Sequence, residues 1–232
     1  MQSEKGNENK LITERIISVD DESGSDCVSV RLKEMCDPDY GLFLWPSASV
    51  LARFLHHNRS EFRGKKVLEI GGGIGACGLV AALIGSSVTI TDRHSLLIKS
   101  DLIQQNAQLN NIPVSMVADN PFGSVRVYPL TWGRFPSDFG ELSSDGKFDY
   151  IISSDCFYDP ADFEDILVSV SFFLRSNLNA IFYTSYQIRD ANWNIECLLK
   201  RWNLACEQIK TDETTSSSRS SHSIIILKII ST

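Results

Sequence analysis

Downstream of Gly64 the apolar residues switch repeatedly between short unbroken runs and stripes at helical spacing. Val67, Leu68 and Ile70 predict a strand over 67–70, and the small residues of 76–84 predict a helix closed by Gly85. A strand over 88–91 follows and ends at Asp92. Ile98, Leu102 and Leu109 recur at helical intervals and mark the next helix. Segments 125–132 and 148–153 read as strands, and Phe163, Ile166, Leu167, Val170, Phe173 and Leu174 form a full helical stripe. A strand over 180–185 precedes Ile195, Leu198, Leu199 and Trp202, which share one helix face. The unbroken apolar run 224–230 is the pattern of a strand buried on both sides. Strands and helices alternating at this spacing predict a doubly wound, mainly parallel α/β sheet.

Upstream the pattern weakens. Val28, Val30 and Leu32 alternate with Ser29 and Arg31, a period-two strand pattern over 27–32. Trp45 leads into Pro46, which suits a first helical turn, and Val50, Leu51 and Phe54 then give an apolar stripe. Residues 1–26 are polar and include Asp20-Asp21-Glu22, so they are expected to be a mobile acidic arm beside one domain over 27–232. The Ser/Thr-rich stretch 214–221 reads as a flexible hairpin loop.

A length of 232 residues and an apolar share of 43% suit one α/β domain with a substantial core. The formal net charge of −7 argues against general affinity for nucleic acid or an anionic membrane. No apolar stretch approaches a bilayer span, and residues 1–10 carry no secretory core, so a cytoplasmic and nuclear protein is expected. Cys27, Cys36, Cys77, Cys156, Cys197 and Cys206 are scattered without a C-x-x-C pair, the pattern of reduced thiols. His56 and His57 are adjacent and cannot share a helix face, and no metal site is expected.

The chemistry concentrates at the ends of the predicted strands, where ligands bind in such sheets. Val67-Leu68-Glu69-Ile70-Gly71-Gly72-Gly73-Ile74-Gly75 delivers an acid, then glycines, then a helix. Glycine permits a sharp turn and close backbone approach to a ligand. Gly71-x-Gly73-x-x-Ala76 also satisfies a dinucleotide fingerprint. The other reading is an S-adenosylmethionine loop, Glu69-x-Gly71-x-Gly73-x-Gly75, in which Glu69 meets the ligand's ammonium directly or through water. Asp92 follows Gly71 by about twenty residues, the spacing of an acid that accepts from both ribose hydroxyls. Trp132, at the end of an apolar run, offers a flat face to an adenine or a sulfonium.

Four stretches together carry a family resemblance: Gly41-Leu42-Phe43-Leu44-Trp45-Pro46-Ser47-Ala48, the glycine loop, Leu130-Thr131-Trp132-Gly133 and Ser154-Asp155-Cys156-Phe157-Tyr158. Over about 39–202 the chain resembles the seven-strand protein methyltransferases of the methyltransferase-like twenty-one group. The resemblance implies a seven-stranded Rossmann-like sheet with an antiparallel C-terminal strand, and S-adenosyl-L-methionine as cofactor. It implies a cofactor site of Trp45, Glu69, Gly71, Gly73, Gly75, Asp92, Trp132 and Asp155, with Asp155 and Tyr158 shaping the acceptor channel as catalytic residues. The substrate would be a protein, such as a histone or a chaperone, methylated on an arginine or lysine nitrogen. Asp155-Cys156-Phe157-Tyr158 lacks the paired prolines common in enzymes of amide or nucleobase nitrogens, which lowers those readings. A non-catalytic platform that keeps the fold, and a nicotinamide-dependent oxidoreductase, are the alternatives. The first leaves the intact acids unexplained and the second leaves Glu69 unexplained.

Overall fold

The computed structural model describes residues 12–20, 27–35, 42–99, 101–117, 120–135, 142, 147–190, 195–210 and 224–232. The elements run β1 (Ile12–Asp20), β2 (Cys27–Met35), α1 (Pro46–His57), α2 (Arg59–Phe62), β3 (Lys66–Ile70), α3 (Ala76–Ile84), β4 (Ser87–Asp92), α4 (His94–Lys99), α5 (Leu102–Leu109), β5 (Ser124–Pro129) and β6 (Tyr150–Ser154). They continue with α6 (Phe163–Ser176), β7 (Ile181–Gln187), α7 (Glu196–Arg201), β8 (Leu204–Ile209) and β9 (Ile224–Ser231).

Seven strands form one sheet in the order β5-β4-β3-β6-β7-β9-β8. The first five are parallel, and β9 inserts antiparallel between β7 and β8. The expected sheet, with its antiparallel C-terminal strand, is therefore present. The chain starts in the middle at β3, works outward to β5, then returns to β6 on the other side. That reversal leaves a crevice beyond the carboxyl ends of β3 and β6, the usual ligand position.

Neighbouring residues of β3 serve opposite faces. Val67 joins the core under α1, α3 and α5, whereas Leu68 and Ile70 join the core under α6. The stripe read in the sequence packs there, with Ile166, Leu167, Val170 and Leu174 fully buried. Burying each such side chain contributes about 1.5–3 kcal/mol. Among the described residues no helix is long and apolar enough to cross a membrane.

The strand expected over 125–132 ends at Pro129, which leaves Trp132 on the turn beyond it. The sequence expectation fails in three further places. Residues 12–20 are not a loose arm but strand β1, paired antiparallel with β2 along its whole length from Ile12–Met35 to Asp20–Cys27. Only Ile17 and Val19 of β1 are buried, while Ile12 and Ile16 face solvent, so its apolar pattern was too short to read. The helix expected from Ile98 to Leu109 is two helices, α4 and α5, with Asp101 between them at φ −97° and ψ 24°. Strand β8 was not anticipated, because three of its six residues are exposed and polar–apolar alternation is weak. The loop read at 214–221, and residues 1–11 and 21–26 of the expected arm, lie outside the described residues.

Candidate active site

A cavity of about 740 Å³ opens at the crevice. Trp45, Gly71, Gly73, Asp92, Trp132, Asp155 and Tyr158, seven of the residues singled out in the sequence, line it together. Gly75 turns the chain behind it, at φ 85°, as the residue that begins α3. The glycine loop is pinned to β4 by Gly72 N–H to the Thr91 carbonyl (2.9 Å) and closed by Gly75 N–H to the Gly72 carbonyl (2.7 Å). Gly71 has φ 65°, and a methyl group there would stand 2.7 Å from Cys156 Sγ and 2.8 Å from Trp132 Cζ2. No side chain fits between the loop and the indole, so the cavity floor is bare backbone.

Asp92 closes β4 at the rim of the loop. Its Oδ2 accepts the Gly73 N–H at 2.8 Å and its Oδ1 accepts the Arg93 N–H at 2.7 Å. Each carboxylate oxygen retains a second acceptor position, enough for a pair of vicinal hydroxyls. Burial pushes its pKa up, and the two backbone N–H groups oppose that shift.

Glu69 departs from expectation. Its carboxylate is buried beneath the loop instead of lining the cavity, and Oε2 accepts the Gly78 N–H at 3.0 Å. A direct contact with a ligand ammonium is therefore unavailable in this arrangement. A Cβ at position 78 would stand 2.5 Å from that oxygen, which explains a glycine inside α3. Burial raises the Glu69 pKa to about 8, the Gly78 N–H opposes the rise, and Asp92 adds to it.

Asp155 is nearly fully buried at 5% exposure and adopts a left-handed backbone, φ 56°, uncommon outside glycine. Its N–H donates to the Ser185 carbonyl at 2.9 Å, which ties this strained turn to β7. The carboxylate does not stand open. Arg189 Nη1 donates to Oδ1 at 2.8 Å and Nη2 to Oδ2 at 2.5 Å, a two-pronged pair at the cavity wall. The carboxylate in turn raises the Arg189 pKa. Helix capping is handled elsewhere, since Asp159 Oδ1 accepts the Ala161 N–H at 3.0 Å.

Tyr158 is at the mouth, 36% exposed, with its ring edge-on to Trp132 at 6.4 Å. Burial, then Asp162, pushes its phenol pKa up, so the hydroxyl stays protonated. Cys156 is a packing residue. Its thiol is buried, donates to the Ile70 carbonyl at 3.3 Å and is pushed far up in pKa by burial. Trp45 meets Phe43 edge-on at 5.9 Å on the opposite wall.

Of four further lining residues, sequence reasoning missed Arg93 and Asp165, and it gave no role to Arg189, beyond the strand read at 180–185, or to Phe43, in the stretch before Pro46. Arg189 follows β7 by two residues, and its position beyond a strand end was the available signal.

A family model described as lysine methyltransferase matches residues 25–196. The chain belongs to that family. Rat histone-arginine methyltransferase METTL23 is 37% identical over 182 residues, covering 78% of this chain and 75% of that protein. The Xenopus laevis protein of the same name is 35% identical over 88% of this chain and 83% of its own length. Within the group, segments 162–167 and 186–193 are the stretches of sequence that resemble METTL23. Mouse protein N-lysine methyltransferase METTL21A is 34% identical over 58% of this chain and 56% of its own. The Thermus thermophilus rRNA methyltransferase RsmC, solved with AdoMet and guanosine, shares the fold at TM-score 0.61 and 16% identity, over 94% of this chain and 51% of that one. This methyltransferase therefore uses S-adenosylmethionine to methylate a side-chain nitrogen of protein. The bare loop at Gly71, the acceptor pair on Asp92 and the indole of Trp132 fit that cofactor. The nicotinamide reading falls away.

Proposed function

We propose that this methyltransferase acts on arginine in a protein substrate of histone type. The observation that carries this reading is the Asp155 carboxylate, which already grips a planar guanidinium through both oxygens. Such paired donation matches carboxylate geometry in a way a lysine ammonium does not. Two relatives named histone-arginine methyltransferase support it. The lysine reading rests on the family description and on METTL21A.

Bound S-adenosylmethionine supplies an activated methyl group on a sulfonium. Asp92 and the Gly71–Gly73 backbone would hold the cofactor, while Trp45, Trp132 and Tyr158 would narrow the space and keep water out. Arg189 swings away as the acceptor guanidinium takes its place on Asp155. Asp155 would then orient the attacking nitrogen and accept at Oδ the proton that nitrogen releases. Alignment of this kind supplies most of the rate in transfer from an already activated donor. Incubating the purified chain with histone octamers and isotopically labelled S-adenosylmethionine, then mapping the methyl by peptide mass spectrometry, tests the reading. Label on arginine supports it, and label confined to lysine refutes it.

A further inference from the structure

We infer that the β1–β2 hairpin is a clasp across two walls of the cofactor cavity, with Glu34 and Asn106 as its positioning residues. The ribbon adds Ile17, Val19, Val30 and Leu32 to the core beside α1, α3 and α5, and it is also wired to both sides of the site.

Glu34 lies in β2 and is buried, at 4% exposure. Its Oε1 accepts from Thr13 Oγ1 at 3.1 Å and from Arg15 Nε at 2.5 Å, both on β1. Its Oε2 leaves the hairpin and accepts the Leu44 N–H at 3.2 Å. Leu44 precedes Trp45, and Phe43, Leu44 and Trp45 are one wall of the cavity. The Arg15 guanidinium also sits over the Phe43 ring, 5.2 Å from its centre. A buried carboxylate holding three donors is an expensive group to keep without a task.

The opposite wall is reached through the next residue back along the strand. Asn106 of α5 is fully buried. Its Oδ1 accepts the Lys33 N–H at 2.7 Å, and its Nδ2 donates to the Lys33 carbonyl at 3.1 Å and to the Ile74 carbonyl at 2.9 Å. Ile74 belongs to the glycine loop and lines the cavity. Asn110, one helical turn on, repeats the grip on Arg31 through its N–H at 2.8 Å and its carbonyl at 2.7 Å. The fit is geometric. Four helical residues rise about 6 Å and two strand residues about 6.6 Å, so the helix reads β2 as another strand would. Adjacent residues Lys33 and Glu34 thus join the glycine loop to the Trp45 segment through one stiff ribbon.

A ribbon that fixes both walls tightens ligand binding by removing wall motion from the cost of association. By linkage, a bound ligand must then steady the ribbon in return. Calorimetric titration of the full chain with S-adenosylhomocysteine, the product form of the cofactor, reads the first half. Glu34→Gln keeps size but cannot accept from Leu44 and Arg15 together, and its dissociation constant should rise at least fivefold. Ile17→Val trims the hairpin core without touching either wall, and should shift affinity less than twofold. A smaller shift in E34Q, or an equal one in I17V, overturns the clasp. Hydrogen exchange of the unmutated chain reads the second half independently of any variant's folding. S-adenosylhomocysteine should slow exchange across Ile12–Asp20 and Cys27–Met35, and unchanged exchange there overturns the proposal.

Discussion

At the scale of single residues, the two acids nearest the glycine loop divide between ligand and fold. Asp92 presents free acceptor positions to the cavity and also anchors the loop through Gly73. Asp92→Ala removes both, so affinity for S-adenosylhomocysteine should fall at least a hundredfold, about 2.7 kcal/mol. Calorimetry of a variant with unaltered circular dichroism measures it, and unchanged affinity would remove Asp92 from the site. Glu69 faces inward, and its burden is electrostatic. Its pKa is raised from 4.5 to about 8, so the folded chain binds this proton more tightly than the unfolded chain does. The favourable contribution is complete below pH 4.5 and is lost as pH rises to about 8. Stability should decline by up to about 1.4 kcal/mol per pH unit within that window. Glu69→Gln keeps an acceptor for Gly78 and removes the proton, so its ligand-free melting temperature should lose this slope and exceed the parent's near pH 8. Identical slopes in the two proteins would show that Glu69 is not the titrating group.

At the scale of elements, the legible parts were those whose meaning is local. The strand–glycine–helix unit from Lys66 to Ile84 follows from neighbouring residues, and α3 has the bounds the pattern gave. Asp92 and Asp155 could be placed because each terminates an apolar run. Glu69 could be placed but not aimed, since its direction is set by the missing Cβ of Gly78. Glycine within a helix was the overlooked signal. Arg189 was unreadable as a partner, because it meets Asp155 across 34 positions of sequence and only the sheet order brings them together. The same holds for Glu34, whose burial depends on a hairpin with little apolar pattern of its own. Gly71 makes the loop's contribution testable. Gly71→Ala forces a β-carbon into Cys156 Sγ and the Trp132 indole at a left-handed φ of 65°. The cost should be about 1–3 kcal/mol in stability, with loss of S-adenosylhomocysteine binding. Full binding by this variant would show that the indole and thiol can move aside.

At the scale of the whole molecule, the sheet's reversal point collects a cofactor half and an acceptor half from distant parts of the chain. In the proposed reading Asp92 belongs to the first, and Asp155 to the second. The Asp155–Arg189 pair adds a cost that the sequence did not reveal. Asp155→Asn leaves a partly buried guanidinium short of its carboxylate, so some stability is lost along with function. The central claim is that Asp155 serves the acceptor and not the cofactor. It is tested by comparing the parent and Asp155→Asn chains on histone octamers, with S-adenosylhomocysteine affinity measured on the same preparations. Affinity should stay within threefold while turnover falls at least tenfold, about 1.4 kcal/mol in the barrier. Turnover at the parent rate, or loss of the cofactor instead, would contradict it.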